Sequence, residues 1–327
     1  MAVYFYQSPS GDGWRNLAVD RYFLEHLGAE DIMLYFYINE NAVIIGKNQN
    51  AWKECNLEVM ERDGVQLVRR HTGGGAVFHD RGNLNFSFIM GEGNYDLQRQ
   101  MSVIVQTMAQ FGLRAELSGR NDITIEGKKF SGNAFGVSHG MRGHHGTILV
   151  NADLSRLSNY LNVSKKKIQS KGITSVRARV CNLVELCPQI TVEQVQQALK
   201  ENFAREYGAY QEYVFDTAAE EEISSLYEEQ ASWEWRLGKA PKFDYQLEER
   251  LSFGEIQLLF GLEQGRITEL RVYSDALDTT VTQRIAQALL CGRFVAEEMA
   301  GNLAEAAAQQ EDPMLQELAE YMRSIAL

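Results

Sequence analysis

"RRHTGGGAVFHD", Arg69–Asp80, sets three consecutive glycines behind two arginines and a histidine. Its flanks, "VQLV" before and "NLNFSFIM" after, are rich in β-branched and aromatic residues and are expected as strands. A glycine triplet is costly in backbone entropy, so it marks a turn or a place where something must come close. Fixed cations bracket this loop, and a second polar, glycine-containing run, "HDRGN", follows it. Those two features weigh against a plain hairpin connection. Two familiar phosphate loops do not fit. A Walker A loop needs GxxxxGK[ST], and no such lysine follows Gly73, Gly74 and Gly75; a dinucleotide fingerprint opens a helix, whereas this loop leads into a strand. The glycines are therefore read as lining a groove between strands, where backbone N–H groups can approach a ligand.

Working outward, 327 residues suffice for one large domain with an appendage, or for two domains. Hydrophobic residues make up 45% and charged residues 23%, the balance of a soluble globular chain. A formal net charge of −12 argues against non-specific binding to nucleic acid or an anionic membrane, so an anionic ligand must be met by a local basic site. The start, "MAVYFYQSPSGDGW", lacks a basic n-region and a long apolar stretch, and no segment approaches the roughly 18 apolar residues of a membrane span. Cys55, Cys181, Cys187 and Cys291 form no CxxC pair. Reduced thiols, a cytoplasmic location and no zinc site are expected. Six histidines without metal spacing do not make a metal site either.

Along the chain, "VYFYQS" reads as a strand and "WRNLAVDRYFLEHLG" as a helix ending at Gly28. "IMLYFYIN" and "NAVIIGK", separated by Glu40 and Asn41, suggest a hairpin. "NLEVMERDG" is a short helix capped by Asn56. A long helix, "LQRQMSVIVQTMAQFG", and the strands "AELSG", "DITIEGKKFSGNAFGVS" and "HHGTILVN" follow the glycine loop. "DLSRLSNYL", "TVEQVQQALKENFAREYG" and "TAAEEEISSLYEEQAS" are helical, the last two opened by Thr191 and Thr217 as N-caps. "WEWRLGKAP" breaks the pattern as a linker. About 80 residues of strands and then helices remain, enough for a small α+β domain.

Three further stretches carry candidate chemistry. In "KKFSGNA", strand alternation lets only one of Lys128 and Lys129 point inward and sets Lys129, Ser131 and Asn133 on one face. That polar face either lines a site or is a solvated surface with a structural bulge. "HHGTILVNADLSRL" carries His144 and His145. "SKKKIQSKGITSVRARVCNL" is strongly basic in an acidic protein; such a run is either a solvated face or an anion-binding segment.

Taken in order, "RRHTGGGAVFHDRGNLNF", "RNDI", "KKFSGNA", "HHGTIL", "NADLSRLSNYL", "SKGITSVRARV" and "WEWRLGKAPKF" resemble the lipoate–protein ligase family across essentially the whole chain. The resemblance implies an α+β fold: a biotin/lipoate ligase-like mixed sheet with packed helices, plus a small C-terminal α+β domain. It implies a lipoate-adenylating domain over 1–243 and an accessory domain over 244–327. The reaction implied is ATP- and Mg2+-dependent conversion of lipoate to lipoyl-AMP, followed by transfer to a lysine of a lipoyl domain of a 2-oxoacid dehydrogenase or of glycine-cleavage H protein.

Both reactants are anions, so a fixed cation is needed between them; by resemblance that catalytic residue is Lys129. Lipoate would be held by Arg70, Thr72, Gly73, Gly74, Gly75 and His145, with Arg69 helping to anchor the loop. The nucleotide would be held by Arg70, Gly75, Ala76, Val77, Phe78, His79, Asn83, Asn121, Asp122, Lys129, Asn133 and Ala134, with Mg2+ at Asp122. Lys171, Gly172, Arg177 and Arg179 would belong to an adenylate-binding loop. Asn133 stands where the family commonly has Ser. His79 and His144 are read equally well as structural. The alternatives are an ATP-independent octanoyl- or lipoyl-transferase of the same superfamily using Cys181, whose pKa Arg177 and Arg179 would lower, and a non-catalytic paralogue that binds lipoyl domains. A biotin ligase is disfavoured by its different glycine-rich loop.

Overall fold

The computed structural model describes residues 1–119, 121–161, 180–237, 245–263 and 265–325, with backbone only at 52 and 53. Its contacts divide the chain into two units. One comprises Met1–Ile44, Trp52–Arg70 and Ala76–Arg236; the other comprises Ile45–Ala51, His71–Gly75 and Leu237–Leu327.

In chain order the first unit brings β1 (Val3–Gln7), α1 (Gly13–His26), β2 (Ile32–Tyr37), β3 (Asn41–Ile45), α2 (Ala51–Glu54), α3 (Leu57–Arg62), β4 (Gln66–Arg69), β5 (Val77–Asp80) and β6 (Asn83–Gly91). Then come α4 (Leu97–Gln110), β7 (Ala115–Ser118), β8 (Asp122–Ile125), β9 (Lys128–Ser138), β10 (Met141–Leu149), α5 (Leu157–Tyr160), α6 (Val192–Tyr207), β11 (Gln211–Glu212), α7 (Thr217–Ala231) and α8 (Trp233–Arg236). Eight strands form a mixed sheet in the order β11-β1-β2-β6-β10-β9-β8-β7. The β11–β1 and β1–β2 pairs are parallel and the other pairs antiparallel. A second sheet orders β4-β3-β5, which leaves β5 at an edge.

One face of the large sheet carries Phe86, Phe88, Ile123, Phe130 and Ile148, buried against α4 and α6. On α4 the buried Met101, Ile104 and Met108 recur at helical spacing, which is why this segment lies down on the sheet. Each fully buried Phe or Leu of this core contributes about 1.5–3 kcal/mol. The helix starts are set by side chains: Asp12 caps α1, Asp96 caps α4, and Thr191 closes a capping box on α6 with Gln194.

Four sequence expectations are corrected. β2 and β3 do not form a hairpin. β2, buried at all six positions, lies between β1 and β6, while β3 pairs with β5 in the small sheet. Asp216 rather than Thr217 caps α7, accepting from the Ala219 N–H. "WEWR" is a short helix, α8, and "DLSRLSNYL" forms only the four-residue α5. Beyond Leu237, the rest of the expected linker and the boundary at 243 fall on 238–244, outside the described residues.

The second unit is an antiparallel sheet of β12 (Tyr245–Leu251), β13 (Gly254–Glu263) and β14 (Arg266–Ser274) with helices α9 (Val281–Leu289), α10 (Ala296–Gln310) and α11 (Pro313–Ser324). Its core includes Leu258, Phe260, Ile285, Leu303 and Leu318. The two loop segments belonging to this unit are tied in by backbone. The Ser274 N–H donates to Asn48 O at 2.7 Å, and the Gly74 N–H donates to Ala276 O at 3.1 Å. No helix among the described residues is long and apolar enough to cross a membrane.

Candidate functional site

The face of the large sheet opposite the α4 core carries a polar band beside an apolar patch of Met33, Ile89 and Met141 that packs with α1 residues. Cross-strand pairing aligns Tyr35 with Ser87 and Ser87 with His145, then His145 with Ala134. One period along, Tyr37 faces Asn85 and Asn85 faces Thr147. Strand residues two apart share a face, so Asn83, Asn85 and Ser87 make a polar row on β6. α1 covers one part of this face. Ser87 Oγ donates to Asp20 Oδ1 at 2.6 Å, and His145 Nδ1 lies 2.9 Å from that hydroxyl and 3.2 Å from Asp20 Oδ1. The single hydroxyl proton goes to the carboxylate, so His145 carries its own proton on Nδ1. Exposure rises toward Asp122 on β8 and Lys129 on β9.

A bulge creates the arrangement at that end. β8 pairs Asp122 with Gly132, Ile123 with Ser131, and Thr124 with Lys129, so Phe130 is the extra residue on β9. Lys129 therefore shares a face with Gly132 and Asp122. Its Nζ lies 2.6 Å from Asp122 Oδ1, and its side chain lies over Gly132, where a Cβ would be 2.8 Å from Nζ. Ser131 and Asn133 turn to the opposite, buried face, which corrects the expectation of one common face for Lys129, Ser131 and Asn133. Asn133 is 4% exposed, and its Oδ1 meets His144 Nε2 at 2.8 Å. Lys128 is exposed.

The two arginines separate. Arg69 is buried and donates to Trp235 O at 2.9 Å and Arg236 O at 2.8 Å, satisfying carbonyls at the end of α8, while Trp235 Nε1 donates to Arg69 O. Arg70 donates to Ile44 O at 3.3 Å and interacts with Tyr37 on the polar face. Burial pulls Arg70 down to about 10, which still leaves it charged at neutral pH. Burial and this neighbouring cation drop His79 to about 3. Asn16 Nδ2 donates to Asn39 Oδ1, so the Asn39 amide turns its N–H toward His79 Nδ1 at 3.1 Å. The His79 proton is then on Nε2, a buried donor with no partner among the described residues. Asn83 Oδ1 is likewise a buried acceptor without a partner, its Nδ2 being committed to Asn85. Buried polar groups are nearly always paired, so such orphans mark a place for a ligand or water.

Val77 and Phe78 lie on β5, an edge strand among the described residues, so no described strand uses its outer backbone groups. The Phe78 ring sits 5.3 Å from Tyr160, with the Arg156 guanidinium 4.8 Å over it. Ala76 precedes this strand and Ala134 lies on the polar face beside His145. Asn121 Nδ2 donates to Asn133 O at 2.9 Å.

Within the second unit the three glycines have three different reasons. A Cβ at Gly73 would sit 2.2 Å from Ala276 O and 2.5 Å from Leu277 O; Gly74 has φ +100°; the space beside Gly75 is open. Of Gly73 and Gly75, Gly75 is the one with open space beside it. The Thr72 carbonyl accepts from the Lys47 N–H at 2.9 Å, and its buried hydroxyl has no partner among the described residues.

The sequence reading missed Asp20, Ser87, Tyr35 and Tyr37. Their signal is period-two polarity in "NLNFSF" and a lone acid on the inner face of α1. Lys171, Gly172, Arg177 and Arg179 lie outside the described residues. Cys181, the candidate nucleophile, has a fully buried side chain among core residues, and its N–H donates to Lys129 O at 2.9 Å. Burial, with Glu185 nearby, raises its thiol pKa, the reverse of activation. No group of three or more His, Cys, Asp or Glu suited to a metal occurs among the described residues.

A family model described as "Lipoyl protein ligase A/B catalytic domain" matches residues 12–204, and one described as "Bacterial lipoate protein ligase C-terminus" matches 240–321. Among solved structures, P. falciparum LipL1 in complex with lipoate is 28% identical with a TM-score of 0.81, over 96% of this chain and 99% of that one. The bi-partite lipoate protein ligase of Thermoplasma acidophilum, solved with its E2 lipoyl domain, is 29% identical with a TM-score of 0.66, over 75% and 98%. A lipoate-protein ligase A bound with ATP is 28% identical with a TM-score of 0.62, over 72% and 98%. With the catalytic-domain model spanning more than half of its residues, the chain belongs to the lipoyl protein ligase A/B family.

Proposed function

We propose that this protein is an ATP-dependent lipoate–protein ligase acting in the cytoplasm, with residues 1–243 as the adenylating domain and 244–327 as an accessory domain. The observation that carries this reading is the Lys129 ammonium, held by Asp122 at 2.6 Å over Gly132 on the polar face of the sheet. The lipoate carboxylate attacks the α-phosphorus of ATP and pyrophosphate leaves with the bond electrons. Lys129 sits between the two anions, lowers their repulsion and steadies the charge that develops on the phosphoryl oxygens. An acceptor lysine amine then attacks the acyl carbonyl of lipoyl-AMP, the amide forms, and AMP leaves.

Arg70 supplies a second fixed cation. Asn83 Oδ1, unpartnered among the described residues, and the edge of β5 at Val77 and Phe78, unpaired there by any described strand, suit the adenine, whose amino group donates and whose ring nitrogens accept. The LipL1 complex with lipoate and the ligase bound with ATP support both substrates, and the archaeal ligase with its E2 lipoyl domain supports a lipoyl domain as acceptor. Mg2+ binds through one or two carboxylates and substrate phosphates, which fits Asp122 as its single protein carboxylate; bound there, it would neutralise phosphate charge.

The test is incubation of the purified protein with ATP, Mg2+, lipoate and a lipoyl domain, read as acceptor mass shift and AMP release. Acyl transfer that proceeds without ATP, or no transfer to any lipoyl domain or H protein, overturns the reading.

A further inference from the structure

Behind the polar face runs a hydrogen-bonded chain that the chemistry above does not use. Asn133 is clamped to Asn121 three times. Its backbone N–H donates to Asn121 O at 2.8 Å, its Nδ2 donates to the same oxygen at 3.1 Å, and its carbonyl accepts from Asn121 Nδ2 at 2.9 Å. Because Nδ2 is committed to Asn121, Oδ1 is the atom turned to His144, at 2.8 Å from Nε2. His144 therefore carries its proton on Nε2 and donates it to Asn133.

The other ring nitrogen, Nδ1, lies 2.8 Å from Gln100 Oε1 on α4. With its proton on Nε2 the neutral ring accepts at Nδ1, which requires the Gln100 amide turned so that its N–H faces the ring. Exchanging the two ends of that amide gives up only a 3.5 Å contact to Met90 Sδ. His144 is fully buried and flanked by Phe86, Phe88 and Phe135 at centroid distances of 4.9–5.7 Å. Burial holds its pKa near 3, consistent with the neutral form.

The chain ends one residue from the reacting cation: Asn121 precedes Asp122, whose carboxylate holds the Lys129 ammonium. We infer that His144 is a positioning residue for adenylation, acting through the Asn133 amide on the Asn121–Asp122 corner and so on where Lys129 rests. A buried ring donating to Asn133 leaves that amide one orientation, and the amide in turn fixes the Asn121 carbonyl. Without the donor, Asn133 can rotate, and the corner that places Asp122 loses one of its three ties. A shift of about 1 Å at a charged catalytic group is enough to cost up to a hundredfold in rate.

This inference rests on the ligase reading above. The test uses the full-length protein with His144→Phe, which keeps an aromatic ring among its neighbours but loses both nitrogens, and His144→Gln, which retains an N–H donor. Lipoate-dependent ATP–pyrophosphate exchange reads adenylation; transfer from supplied lipoyl-AMP to a lipoyl domain bypasses it. The expected result for His144→Phe is a fall of tenfold or more in kcat for exchange, with KM for lipoate and transfer from lipoyl-AMP within about threefold of the parent. His144→Gln should recover most of the exchange rate. Should His144→Phe fail to fold, Asn133→Ala, which removes the amide from the other end, carries the same expectation. Unchanged exchange in a folded variant overturns the inference, as does an equal loss in both half-reactions. A parent protein with no exchange and no transfer overturns the ligase reading itself, a result distinct from either.

Discussion

Lys129 and Asp122 meet at 2.6 Å across two adjacent antiparallel strands because Phe130, the one extra residue on β9, brings Lys129 onto the same face as Asp122. Both side chains are about one-third exposed, at 33% and 37%. Such a pair adds at most about 1 kcal/mol to stability, so its geometry matters more than its strength. Lys129→Ala is therefore expected to abolish lipoate-dependent pyrophosphate exchange while leaving the urea midpoint nearly unchanged. Lys128→Ala, at an exposed neighbouring position, should keep exchange close to the parent rate. Near-normal exchange in Lys129→Ala would sink the assignment.

Gly132 offers a subtler probe. Adding one methyl there places a carbon 2.8 Å from Lys129 Nζ and 2.9 Å from Cε, and the flexible lysine end, not the backbone, must give way. Gly132→Ala should slow adenylation tenfold or more while shifting stability by less than about 1 kcal/mol. A variant that exchanges as fast as the parent would show that Lys129 reacts from a different position.

Cys181 separates the two reaction classes. Its thiol is buried, and that burial raises its pKa, so a ligase should tolerate its loss. Cys181→Ser is expected to retain most activity, at a stability cost of about 1–3 kcal/mol for burying a hydroxyl. A hundredfold loss, about 2.7 kcal/mol of barrier, together with a trapped acyl-thioester would instead establish the cysteine-based transferase.

The acid side of the stability profile should report two neutral histidines. Burial depresses both His79 and His144 from 6.5 to about 3. As pH falls below 6.5 the unfolded chain binds protons at these positions and the folded chain does not, until pH nears 3. Their contribution is thus complete above 6.5 and is lost on acidification, by up to about 1.4 kcal/mol per pH unit for each ring. Urea unfolding at pH 7, 6 and 5 should show the decline, and His144→Gln should halve this histidine component. A flat profile from pH 7 to pH 5 in the parent protein would contradict neutral burial.

Much of this was readable from local pattern. α1, α4 and α6 follow from helical spacing and from polar residues at their starts, features carried within one stretch of chain. The glycine triplet and the polar run around Lys129 stood out because small and charged residues interrupt otherwise apolar strands, whereas Asp122 and Asn83 came only from the family resemblance. α7 was misplaced by one residue because Asp216 and Thr217 are both good caps, and only the approach of the Ala219 N–H distinguishes them.

Residue order and composition settle which segments bury themselves, since apolar spacing and capping act over a few residues. What a segment lies against depends on partners far away in sequence. Period-two alternation put Lys129, Ser131 and Asn133 together; pairing with β8 inserted Phe130 as a bulge and sent Asn133 to His144 instead. Adjacent arginines looked alike, yet the α8 carbonyls claim Arg69 while Arg70 lies near Tyr37 and His79. Three identical glycines answer to a carbonyl contact, a positive φ and an open space. Strand register and close approach are long-range agreements between surfaces, and no window of neighbouring residues contains both sides.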